Sequence, residues 1–254
     1  MAEDWIRRRW LQRGQLRARR RPRAFTWSAL PNYTEPMDPE RLRALLQALR
    51  AGSVDVDTAL QQLRRLPFDD LGFANVDHHR ALRQGVPEVI LGQSKTAAQI
   101  AGVARSLVTA GSAVYVTRLG TEKVPELLQQ VPELVHDEAS STASYLPNPP
   151  RALASEPALV VTAGTSDLPV AAEALETLRV FGVPARGIYD VGVAGLHRIV
   201  RHLDALERAP GIIVCAGMEG ALASVVGGLV AAPVVAVPTS VGYGASLGGL
   251  AALL

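Results

Sequence analysis

Val160-Val161-Thr162-Ala163-Gly164-Thr165-Ser166-Asp167 is an apolar, β-branched run that breaks at a glycine and ends in two hydroxyls and a carboxylate. Val160 to Thr162 favour a buried strand, and Gly164 permits a tight turn. Thr165, Ser166 or Asp167 can cap a helix whose apolar face follows as Val170, Ala174, Leu175 and Leu178. The free amides at such a helix start attract an anion. An ordinary capped strand-to-helix connection looks the same over eight residues, so the decision lies in the rest of the chain.

The same grammar recurs downstream. Strands are predicted near Leu159 to Thr162, Ala185 to Tyr189, Gly211 to Cys215 and Val234 to Val237, with helices starting near Asp167, Gly195, Glu219 and Ala245. Four such units predict a parallel sheet covered by helices, and ligands bind such sheets at the carboxyl ends of the strands. Every one of those ends carries glycine beside a polar group. They are Gly164-Thr165-Ser166-Asp167, Asp190-Val-Gly192-Val-Ala-Gly195-Leu-His197-Arg198, Gly217-Met218-Glu219-Gly220 and Thr239-Ser240-Val-Gly242. Together they predict a glycine-lined pocket, since a phosphate or flat ring approaches backbone most closely where side chains are missing.

Composition narrows the classes. Nine of the 26 basic residues lie in the first 23 positions, and from Met37 onward 17 basic face 21 acidic residues. The folded part is mildly acidic and offers no nucleic-acid footprint. A single cysteine, Cys215, excludes an internal disulfide and fits a reducing cytoplasm. The stretch from Gly220 to Leu254 is uncharged, yet Pro233, Pro238 and several glycines cut it into pieces of strand length. Buried strands and packed helices account for it better than a membrane span.

The arginine-rich residues 1–36 have no clear apolar period and read as a disordered basic tail, a basic amphipathic helix, or translated sequence ahead of a true start at Met37, the last being favoured. Asp38-Pro39-Glu40 is a helix-start signature. Leucines 42, 45, 46 and 49 predict a helix from Pro39 to Ala51, and Val54 to Leu66 a second, ended by Pro67. Phe68 to Arg80 reads as a shaped loop. There Asp77, His78 and His79 are better suited to structural hydrogen bonds than to a metal, because adjacent histidines diverge. A strand at Val86 to Leu91, a helix at Ala97 to Leu107, a strand at Ala113 to Arg118 and a helix at Glu122 to Val131 follow. Gly92-Gln-Ser-Lys95-Thr96 falls short of a phosphate loop because Val89 stands where its first glycine belongs. Glu138 to Pro150 reads as a linker. The domains are then 37–145 and 151–254.

Ser166, Thr239 and Ser240 can donate to phosphate oxygens, and Asp167 or Asp190 can accept from ribose hydroxyls. Gly242-Tyr-Gly244 begins like a dinucleotide fingerprint, but its third glycine is displaced to Gly248 and no acidic residue follows, which argues against a hydride-transfer domain. Glu219, the one charge between Ala209 and Leu254, either compensates a helix start or acts on protons or a metal in the pocket.

Gly164-Thr-Ser-Asp167, Ala216-Gly-Met-Glu-Gly-Ala-Leu222 and Val237-Pro-Thr-Ser240 resemble the aminoimidazole ribonucleotide (AIR) carboxylase, or PurE-like, pattern. Asp77-His-His-Arg80, Gly85-x-Pro-Glu-Val-Ile90, Thr162 to Pro169, Tyr189 to Arg198 and Pro238 to Ser246 resemble the LarB family more closely, over Met37 to Leu254. The resemblance implies an α/β protein: a PurE-like, flavodoxin-like three-layer domain behind a smaller α/β N-terminal domain. It implies a carboxylase and hydrolase that converts nicotinic acid adenine dinucleotide and CO2 to pyridinium-3,5-biscarboxylic acid mononucleotide and AMP, towards the nickel-pincer nucleotide. No tightly bound cofactor is implied, Mg2+ is a candidate ion, and the chain would assemble as a homo-octamer. Glu219, Asp190 and His197 become the catalytic candidates. Gly164, Thr165, Ser166, Asp167, Gly192, Gly195, Gly217, Met218, Gly220, Thr239, Ser240 and Gly242 become the substrate-binding ones.

In that family a cysteine in an Asn-Ser-Cys motif adds to the pyridinium ring. The motif would follow the helix in which this sequence stops, so the sequence reads as truncated and its activity as open. Cys215 ends an apolar strand, where a buried thiol is the expectation. Two alternatives remain: a purine-pathway carboxyaminoimidazole ribonucleotide mutase, whose Ser-Ala-His-Arg motif is missing here, and a non-catalytic nucleotide-binding module.

Overall fold

The computed structural model describes residues 39–63, 69–78, 80, 84, 86–148, 150, 152–240 and 248–253. The readings of residues 1–36, Asp38, Pro67, His79, Gly242 and Ala245 lie outside these. The described residues from Arg43 onward form one compact unit.

Helices α1 (Pro39–Arg50) and α2 (Val56–Leu63) occupy the two predicted helical stretches. Asp55 starts α2 by accepting from the Thr58 amide at 2.7 Å. The stretch expected as a shaped loop contains a small hairpin, β1 (Asp69–Asp70) and β2 (Asn75–Val76), turned at Gly72 with φ 77°. His78 Nε2 meets Asp69 Oδ2 at 2.7 Å, a structural bond of the kind expected.

Strand β3 (Val89–Leu91) leads into α3 (Ala97–Thr109), whose start is a capping box between Thr96 and Gln99. Then come β4 (Val114–Thr117), α4 (Val124–Gln130), β5 (Val135–Asp137) and β6 (Thr142–Tyr145). The sheet order is β3-β4-β6-β5, with only the β3–β4 pair parallel.

Strand β6 corrects the expected linker, because all of it lies inside Glu138 to Pro150, hydrogen-bonded to a strand on either side. Its sequence, Thr-Ala-Ser-Tyr, hides the strand because its buried groups are small and polar. Thr142 is bonded to the Ser140 hydroxyl at 2.7 Å, while Ser144 takes an N–H of Arg179 at 2.9 Å and donates to Glu176 at 3.3 Å. Buried hydroxyls with partners carry no apolar signature.

The second sheet is built from β7 (Ala158–Thr162), β8 (Ala185–Ile188), β9 (Ile212–Ala216) and β10 (Val234–Pro238). All its pairs are parallel, in the order β10-β9-β7-β8. Alternation sorts the side chains into two cores. Leu159, Val161, Ile212 and Val214 face Ile199, Leu206, Leu222 and Val226. Those last four belong to α6 (Leu196–Val200), α7 (Leu203–Arg208) and α8 (Ala221–Leu229). Val160 and Cys215 face Ala171 of the helix between β7 and β8, α5 (Leu168–Val180). Helix, sheet, helix is the three-layer, flavodoxin-like arrangement. A short helix α9 (Leu250–Leu253) ends the described chain.

Helix α5 also carries the first sheet. Tyr115 of β4 is fully buried, and its hydroxyl lies 2.8 Å from Thr177 Oγ1. Burial pushes this phenol up to about 12. Among the described residues no helix is long and apolar enough to cross a membrane.

Candidate functional site

The strand ends are locked together before any ligand arrives. Beyond β7 and β9 the ladder continues one step, with the Ala163 amide donating to Cys215 O at 3.2 Å and the Thr239 amide to Ala216 O at 3.0 Å. On the other side the amides of Val191 and Gly192 donate to Thr162 O and Ala163 O at 3.0 and 2.9 Å. The loops after β7, β8, β9 and β10 therefore rise from one common edge.

After β7, Thr165–Asp167 form a single 3-10 turn that feeds α5. Thr165 and Ser166 are exposed, whereas Asp167 is 3% exposed. Asp167 Oδ2 accepts from the Gly164 amide at 2.9 Å, and Oδ1 accepts from the Thr239 hydroxyl at 2.7 Å. Thr239 is itself buried, at 2%. Since β9 lies between β7 and β10, this bond spans the end of the intervening strand. It ties the first strand-end loop to the fourth, and Ser240 stands exposed beside it.

After β8, Asp190 adopts φ 54°, a conformation that costs a non-glycine residue of order 1 kcal/mol. Two contacts hold it there: its amide donates to Thr162 Oγ1 at 3.1 Å, and its carboxylate meets Arg198 Nη1 at 2.9 Å. Arg198 also reaches Gly192 O at 3.4 Å. Gly192 has to be glycine, because a Cβ would sit 2.8 Å from the Ala163 carbonyl. Gly195 packs under the Arg198 side chain, where a Cβ would meet Nε at 2.9 Å. His197 is exposed on α6, beside the Arg198 that braces Asp190.

After β9, Met218 and Gly220 have φ 55° and 68°, and the Gly220 amide closes the turn on Gly217 O at 3.0 Å. Met218 is 42% exposed, and Glu219 is exposed with no hydrogen bond or ion pair among the described residues. A Cβ on Gly220 would come within 3.0 Å of Ala252 O, so the turn fits closely against α9.

The described site residues thus all lie on the strand-end loops or at their helix starts. Asp190, Glu219 and His197 are exposed there, as are the hydroxyls of Thr165 and Ser166 in the 3-10 turn. Cys215 is different: it is fully buried between β9 and α5, where burial, with the nearby Asp167 charge, pushes its thiol up to about 11. Among the described residues no three His, Cys, Asp or Glu side chains gather as a metal-holding group. Sequence reasoning passed over Arg198 as a site residue. The signal was present in a basic side chain eight positions after Asp190, across a glycine-rich turn.

Comparison with known proteins agrees with this architecture. Residues 68–146 match the LarB/PurE-like N-terminal domain, and residues 158–254 match AIR carboxylase. The chain is 33% identical over 225 residues to an uncharacterised protein of Methanocaldococcus jannaschii, the alignment covering 85% of this chain and 87% of that one. The AIR carboxylase match supports an enzyme of carboxylase type. With that domain carried behind a LarB/PurE-like N-terminal domain, the chain belongs to the LarB family.

Proposed function

We propose that the strand-end site carboxylates the pyridinium ring of nicotinic acid adenine dinucleotide and cleaves its phosphoanhydride, releasing AMP. The observation that carries this reading is the common edge from which the four strand-end loops rise, with Gly164, Gly192 and Gly217 on three of them, on a domain that matches AIR carboxylase. The products balance if CO2 forms a bond to a ring carbon, that carbon gives up its proton, and one water divides the anhydride between two phosphates. An electron-poor ring attacks CO2 only after a nucleophile has added to it. Cys215 does not serve, since its thiol is fully buried and pushed up to about 11. The nucleophile is then a thiolate from outside the described residues, expelled again when the carboxylated ring loses its proton.

In this reading Thr165, Ser166 and the amides of the α5 start hold phosphate, while Gly192, Gly195 and Gly217 let the substrate reach backbone. Asp167 shapes that cradle through Gly164 and Thr239. Asp190 takes the ring proton, and His197 and Glu219 are two further exposed groups placed to pass protons. The test is incubation with the dinucleotide and labelled bicarbonate. The expected result is AMP release that depends on bicarbonate, with label in the mononucleotide product. Nucleotide binding with neither AMP nor label would instead favour a non-catalytic binding module.

A further inference from the structure

A groove of about 540 Å³ runs from the strand ends down the open edge of the second sheet. Strand β8, an edge strand, forms its floor, and α5 forms one wall. Asp137, from the edge strand of the first sheet, lines it as well. Its size falls within the roughly 300–1,000 Å³ typical of small-molecule sites.

Tyr189 stands at the mouth, immediately before Asp190. A Cβ on Gly187 would overlap the Tyr189 ring, so the ring is folded back onto the bare strand, yet 48% of the residue stays exposed. One side of the ring is bedded on glycine and the rest is open, which makes a rigid stacking platform. The charges of the α5 wall are spent on each other, while Arg186 of β8 lines the groove exposed and without an ion pair among the described residues. Arg179 donates to both carboxylate oxygens of Glu176 at 2.6 Å, and to Ser144. The α5 wall, neutralised in this way, suits an uncharged ring and hydroxyls, and Arg186 is the one lining cation left to meet an anion at the groove's floor. Asp137 is held ionised, its carboxyl lowered by the Ser140 hydroxyl, and remains exposed as an acceptor.

We infer that this groove takes the second nucleoside of a dinucleotide whose reacting half lies at the strand ends, with its base on Tyr189 and its ribose hydroxyls towards Asp137. The inference rests on the function proposed above and gives the N-terminal sheet a part in substrate binding. Phosphates stay with the strand-end amides, and the groove distinguishes a dinucleotide from a mononucleotide.

Titration calorimetry with nicotinic acid adenine dinucleotide and with nicotinic acid mononucleotide tests it, on the unchanged chain and on Tyr189→Ala and Tyr189→Phe. The unchanged chain should prefer the dinucleotide. Tyr189→Ala should lose about tenfold in dinucleotide affinity, as expected for one lost stacking contact, with mononucleotide affinity unchanged. Tyr189→Phe should keep the preference. If both nucleotides bind equally to the unchanged chain, or Tyr189→Ala weakens both alike, the groove assignment falls while the strand-end reading stands. A change of molecular mass in Tyr189→Ala would likewise overturn it, by showing that the ring packs in a subunit interface. If neither nucleotide binds the unchanged chain, the proposed function falls and the groove assignment falls with it.

Discussion

The hydroxyl of Thr239 donates to Asp167 Oδ1 at 2.7 Å across the end of β9, joining two loops that are 72 residues apart in the chain. Both groups are buried, so each depends on the other for its hydrogen bond. Thr239→Val keeps the shape and removes the donor, leaving a buried carboxylate oxygen short of a partner at a cost of about 1–3 kcal/mol. Thr239→Ser should recover most of that loss. Denaturant unfolding of the two variants gives the difference, and equal stabilities would show that the bond contributes nothing.

Arg198 holds Asp190 at 2.9 Å, but Asp190 is 54% exposed, and such pairs contribute only about 0–1 kcal/mol to stability. Arg198→Met should therefore unfold near the denaturant concentration of the unchanged protein while turnover drops by tenfold or more, on the order expected when a proton-transfer group is misplaced. Arg198→Lys should recover part of the turnover. Stability and activity falling together would contradict a positioning role.

Gly192→Ala places a methyl group against the Ala163 carbonyl, which is backbone and anchored in the ladder. The loop has to move, at a cost of about 1–3 kcal/mol typical of overpacking, and nucleotide affinity should fall with it. Gly227→Ala is the control. No atom lies within 4 Å of its added Cβ, and α8 should be unchanged or slightly stabilised.

Cys215 and Tyr115 predict how stability varies at alkaline pH. Their ordinary values are 9.0 and 10.0, and burial raises them to about 11 and about 12 in the folded chain. Both groups ionise first in the unfolded chain, so stability holds below pH 9 and declines as the pH climbs from 9 towards 12. Cys215→Ala should remove the part of the decline between 9 and 11. The same variant should leave AMP release intact, and native Cys215 should resist thiol reagents at neutral pH.

Much of this molecule was legible along the chain. The repeated alternation of strand and helix from Ala158 onward survives in the structure with ends shifted by a few residues, because β-branched runs, glycine turns and capping residues act locally. The strand at Thr142–Tyr145 escaped because its buried hydroxyls carry no apolar signature: Thr142 pairs with Ser140, and Ser144 with Glu176 and Arg179 of α5, the latter out of reach of any pattern read in one segment. The hairpin at Asp69–Val76 escaped for a related reason, since two-residue strands are too short to show a period.

By itself the sequence determined the alternating strands and helices from Ala158 onward, and that four glycine-bearing ends follow the strands of a parallel sheet. It could not say that Asp167 spends its carboxylate on Gly164 and Thr239, that Arg198 braces Asp190, or that Tyr189 lies over Gly187 in a groove that Asp137 also lines. Those depend on strand order and on the packing of two sheets about α5. Periodicity records which face of a segment is buried, and only the assembled fold decides which distant side chain meets it there.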